Sequence, residues 1–280
     1  MTDARRQSAI SAVLVAAFPV LSLLAVAQEK RESRYTVGPK ALVSTTNNHG
    51  SITVKPSGNN QVVVTTLSYS DAVTFENEQH GDRVDLRATS GRKGSSLVDY
   101  TVLVPADAFV TVRSSDGKVH VQGLRGDVVL EGATGMVEAT DINSAHLHVK
   151  TLSGPVTLTD IRDSHVDIHS VSGNVDIRNV SGSSVEVNSG SGRITYDGDP
   201  GSAGVYLFTS HSGDLEVSVP ASIPVEIKAH SVKGESDTGL PNAGSVPSVG
   251  QKSLLLKPGI VYASRFVLRS FRGTIHVRRP

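Results

Sequence analysis

The chain has 280 residues, 38% of them hydrophobic but only 4% aromatic, with no Trp and no Cys. The Cys count excludes disulfides, thiolate metal centres, Cys nucleophiles and a lipidated N-terminal Cys, and the shortage of rings argues for thin β-branched layers over a thick aromatic core. Lys plus Arg and Asp plus Glu balance at 27 each, so no global field draws the chain to nucleic acid or anionic lipid.

Residues 1–27 read as an export signal. Arg5 and Arg6 precede an apolar run from Ile10 to Ala27, which ends in the small-x-small pattern Ala25-Val26-Ala27. Cleavage is expected before Gln28; an uncleaved anchor is the alternative, since the run is near the minimum for spanning a bilayer. Loss of Asp3, Arg5 and Arg6 leaves 25 Lys plus Arg against 26 Asp plus Glu. The expected location is periplasmic, cell-surface or secreted, and the C-terminal IHVRRP offers no apolar tail, so any membrane attachment is expected at the N-terminus.

From 35 to 107 the strands are long and turn signals sparse, as in QVVVTT, RVDLRA and VDYTVLVPADAFVTV. This stretch is read as the N-terminal part of the same β structure, capping the repeats that follow, because VDYTVLVPA enters them without a linker.

Residues 108–277 are read as a repeat array. Gly135, Gly154, Gly173 and Gly192 recur every 19 residues, and units cut at 126, 145, 164 and 183 align without a gap. In the unit 164–182 the apolar positions are Val166 and Ile168, then Val171, then Val175 and Ile177, then Val180. Paired apolar positions with a polar residue between them predict two short strands per unit, and this predicts an all-β fold, a β-solenoid with a 19-residue, two-strand coil. Val171, Val180, Leu152 and Ile161 are read as plugs at the corners. The four glycines are read as positive-φ corner residues. The segment 108–125 fits the frame with one deletion, residues 235–251 form a Gly, Pro and Ser-rich insertion read as a flexible surface loop, and Phe266, Leu268, Gly273, Ile275 and Val277 supply a terminal coil.

These features resemble the bacterial putative adhesin family of exported β-repeat domains of unknown function. The resemblance rests on the valine-rich strand ending in Pro105-Ala106, on VTVRSSDGKVHVQGL from Val110 to Leu124, and on the phrases SGNVDI, SGSSVEV and SGDLEV. It spans about residues 40–277. The resemblance implies a solenoid-like fold and a surface or adhesive role, with no catalytic residue to carry over.

The candidate exposed column is His148, Asp167 and Glu186, stacked in adjacent coils. A carbohydrate-active lyase or hydrolase would need several carboxylates on one face; Asp176 lies on the other face, and a solvated sheet carries charges in any case, so no catalytic residue is assigned. His146 and His165 share a column whose next member is Ser184, and strand alternation is read as turning His148 to the opposite face, so no metal site and no cofactor are assigned. Calcium-roll nonapeptides, regular Thr ladders and helix-preceding Gly loops are missing. The expected function is a non-enzymatic envelope or surface binding module with a protein or glycan partner and no nucleic acid. Alternatives are the carbohydrate-active enzyme and a self-assembling structural protein.

Overall fold

The computed structural model describes residues 29–69, 73–90, 97–237, 252–254 and 264–280. The leader 1–27 and most of the insertion at 235–251 lie outside the described residues. Among those described, no helix is long and apolar enough to cross a membrane.

The fold is all-β. Strands alternate along the chain between two twelve-stranded sheets, here A and B, an arrangement consistent with a β-solenoid. Each winding contributes one strand to sheet B and the next to sheet A, as His165–Ser170 and Val175–Val180 do in the unit 164–182. Successive windings pair in parallel, Val166 with Val185 and Val175 with Ile194, so residue n sits beside residue n+19. Val166, Ile168, Val175, Ile177 and Val180 are all buried between the sheets.

Val171 is not. It is 58% exposed and Leu152 54%, so neither plugs a corner. Alternation runs unbroken through the end of each sheet B strand, which turns the preceding residue inward instead: Thr151, Ser170 and Ser189 occupy the core position. Their hydroxyls donate to the carbonyl three residues on, Thr151 to Gly154 at 3.0 Å, Ser170 to Gly173 at 2.8 Å and Ser189 to Gly192 at 3.0 Å. A buried hydroxyl with a partner closes this corner without an apolar plug.

The glycines there also serve a different purpose from the one expected. Gly135, Gly154, Gly173 and Gly192 do not have positive φ. A Cβ on any of them would come within 3.0 Å of the carbonyl oxygen of the glycine one winding earlier. The requirement is close approach of stacked backbones, and the series continues through Gly213, Gly273 and Gly234.

Positive φ belongs to the opposite corner, at Asp141 (54°), Asp160 (55°) and Asn179 (53°). Asp and Asn tolerate this region better than other side-chain-bearing residues. The kink breaks parity by one residue and swings Ile142, Ile161 and Val180 into the core, so the plugs read from the sequence are present at this corner.

At both ends spatial order departs from chain order. The winding 42–57 lies between 83–105 and 109–122, and the last one, 264–278, lies between 205–218 and 225–237. The coil containing Phe266 and Ile275 is therefore next to last in the stack and not terminal. Phe266 pairs with Tyr206 on one side and Ile227 on the other. Here the core turns aromatic: Tyr206 stacks on Phe266 at 4.5 Å, and Tyr196 meets both edge-on. Tyr196 donates to Val180 O (2.9 Å) and Tyr206 to Pro200 O (2.7 Å), filling the corner where the apolar column ends at Asp199. Antiparallel strands cover three of the four sheet ends; the one at the N-terminal end of sheet A, Glu29–Thr36, carries the ion pairs Arg31–Glu29 and Arg34–Glu32, which suits an edge that must not recruit another strand.

Candidate functional site

Parallel register converts each outward position of sheet B into a row running along the stack. His148, Asp167 and Glu186 form one such row, each the register partner of the next. Asp167 is held between two imidazoles, with His148 Nδ1 2.9 Å from Oδ2 and His169 Nε2 3.2 Å from Oδ1, while Asn188 donates to Glu186 at 2.9 Å. Asp176 faces out from sheet A, across the buried layer, paired with Arg178.

His146 and His148 are both on the outward face, because residues two apart in a strand point the same way; the expectation that they diverge is corrected. His146 is 3.1 Å from Asp127 Oδ1, and its ring is 5.7 Å from that of His165. Among the described residues, no three His, Asp or Glu side chains converge on a point that would hold a metal ion.

The concave feature lies one row over. Lys150, His169, Asn188, Thr209, Arg269 and His230 are consecutive register partners across six windings. Beyond the inward hydroxyl row stands the corner ridge of exposed Val171 and Val232, His211 and Phe271, whose rings stack at 5.1 Å. Gly190 leaves a gap in that ridge. Row and ridge bound a groove of about 700 Å³. Lys233 Nζ sits 5.0 Å from the Phe271 ring and the Arg272 guanidinium 5.9 Å, adding two cations at the rim.

Among the described residues, no carboxylate lines the groove. Elsewhere on sheet B several cations are neutralised: Arg113 by Glu131 at 2.7 Å, and Arg265 and Lys228 by Glu226 at 2.7 and 3.1 Å. Burial alone would raise the Glu226 pKa, but hydrogen bonds from Lys228 and Arg265 outweigh it and hold the carboxyl below its ordinary range.

The sequence alignment already held half of this groove. Lys150, His169 and Asn188 share one 19-residue column, and Val171 and Gly190 another. Arg269, His230 and Phe271 join them only through the exchanged order of the last windings, which periodicity does not encode.

Fold and groove together define an all-β repeat protein with a grooved sheet face. The chain belongs to the family described as Toastrack DUF4097, whose model matches residues 41–248. Among solved structures it is similar to a putative adhesin from Bacteroides fragilis, at 12% identity over 90% of this chain and 98% of that one, with a TM-score of 0.51. It is also similar to a putative lipid binding protein from Parabacteroides distasonis (12% identity, 90% and 97% covered, TM-score 0.47) and a putative adhesin from Parabacteroides merdae (9%, 89% and 97%, 0.42). At these identities the likeness speaks to the fold alone. A comparison with curated proteins finds no match.

Proposed function

We propose that this protein is an exported, non-enzymatic binding module of the cell envelope or surface. In this reading a β-solenoid scaffold of 19-residue coils presents the sheet B groove to an extended partner. The observation that carries the reading is the groove itself: one continuous row of side chains, fixed by parallel register on a rigid stack, suits a long ligand better than a compact substrate. The description of the Bacteroides fragilis neighbour as a putative adhesin agrees with a surface role. The leader-like residues 1–27 supply the expectation of export.

The absence of catalysis is part of the proposal. Asp167 is engaged by the His148 and His169 rings, and Glu186 by Asn188, which ties both carboxylates of this row to neighbouring side chains. The test is co-sedimentation with isolated cell envelopes. Wild type is expected to pellet with them, and Val171→Glu/Val232→Glu, which alters only exposed ridge positions, to remain in the supernatant. Equal pelleting of the two proteins, or release of soluble sugar by the wild type, would overturn the reading.

A further inference from the structure

We infer that the groove takes an acidic polysaccharide lying along the stack axis, an inference that rests on the binding role proposed above and adds the ligand's chemistry. Charge complementarity carries it. Among the described residues neither Lys150 nor Arg269 has a carboxylate within 4.0 Å, whereas Arg113, Arg265 and Lys228 on the same sheet are paired. The groove thus concentrates uncompensated positive charge in a chain whose total is balanced.

Geometry selects a sugar chain over an acidic peptide. The strands under the groove are hydrogen-bonded to neighbours on both sides, so no free backbone edge is available for an added peptide strand. A ligand must instead cross the strands and meet one side chain per winding, at intervals of about 4.8 Å. From Lys150 to Arg269 is four such steps, about 19 Å. A pyranose advances its chain by a comparable distance, so successive rings meet successive windings. The exposed Val171 and Val232 side chains offer apolar contact to ring C–H faces, while Asn188 and Thr209 sit between the two cations, where sugar hydroxyls would fall.

Calorimetric titration of the full protein with oligogalacturonate, and with its fully methyl-esterified neutral counterpart, tests this. The acidic oligomer is expected to bind and the ester not. Lys150→Gln/Arg269→Gln should weaken binding about tenfold or more, as should about 0.5 M salt, whereas Arg178→Gln on sheet A should leave it unchanged. Lys150 and Arg269 are exposed, so the double variant should keep the wild-type melting temperature. Equal binding of the ester, equal loss on Arg178→Gln, or equally tight binding of poly-glutamate would overturn the inference. Silence toward oligogalacturonate with groove-dependent envelope sedimentation would overturn the ligand class and leave the binding role standing. Cleavage of the oligomer would contradict the non-enzymatic reading while retaining the ligand class.

Discussion

The middle windings, 128–197, and the C-terminal end, 205–278, build the same cross-section by different means. In the middle, neighbours in space are neighbours in sequence, offset by 19, and the core is aliphatic as far as Tyr196, where the rings begin. At the C-terminal end the offset becomes 21 between Val185 and Tyr206, and Gly204 reaches a partner 60 residues away at Ser264, while rings replace Val and Ile. Local repetition specifies a stack wherever each winding only has to fit its predecessor. Ending the stack requires a long-range closure that ties the last winding between two earlier ones.

The largest effect should come from breaking the middle. Val175→Asp places a charge in the fully stacked interior and should cost about 5 kcal/mol or more, unfolding the array cooperatively. Asp176→Ala, one residue away on the solvated face, removes only the half-exposed pair with Arg178 and should stay within about 0.5 kcal/mol. Urea titrations of the two variants give the contrast directly.

Next is the closure. Phe266→Ala removes a fully buried ring stacked on Tyr206 and should cost about 4 kcal/mol. If the end is the separable part, exchange protection should be lost first in 205–278 and persist in 146–180.

The two regions should also differ in alkali. Burial raises the Tyr206 phenol from 10.0 to about 12, in spite of its hydrogen bond with Tyr196, and raises Tyr196 further. An unfolded phenol ionises near 10.0 and the folded one later. Stability contributed by the protonated ring is therefore complete below pH 10.0 and lost as pH climbs toward about 12, by about 2–3 kcal/mol for Tyr206. The segment 126–182 has no Tyr, so the loss spares the middle windings; Tyr100, raised likewise by burial, adds a share from the N-terminal side. Tyr206→Phe should flatten the stability profile measured between about pH 9 and pH 11.

The smallest effect separates the corners. Val171→Ser, at an exposed position, should change stability by less than about 0.5 kcal/mol, whereas Ile161→Ala at the kinked corner should cost about 3 kcal/mol in the same melting assay.

How much was legible in the sequence follows the same division. The 19-residue period, the two strands and the buried set Val166, Ile168, Val175, Ile177 and Val180 could be read because inward positions within the strands, short of the hydroxyl corner, are apolar in every 19-residue winding. The Thr/Ser-x-x-Gly phrase at 151–154, 170–173 and 189–192 was also visible, but it looked like a turn signal, and its physical content is a buried hydroxyl serving a close-packed glycine. Val171 misled because an apolar residue beside a turn resembles a plug, when strand parity places it outside. The candidate row His148, Asp167 and Glu186 is an assembled row, as the period implied. The groove beside it escaped because half its residues arrive through pairings that no local pattern announces.

The account turns on the last winding being threaded between two earlier ones, which completes both the aromatic core and the groove. The chain contains no Cys, so paired Cys substitutions report adjacency cleanly. Thr209→Cys/Arg269→Cys joins adjacent strands and should oxidise to a disulfide, whereas Thr209→Cys/His230→Cys spans two strand spacings, about 9.6 Å, beyond a disulfide's reach, and should stay reduced. Ready oxidation of 209 with 230 and none of 209 with 269 would mean that the windings stack in chain order, and would contradict the account.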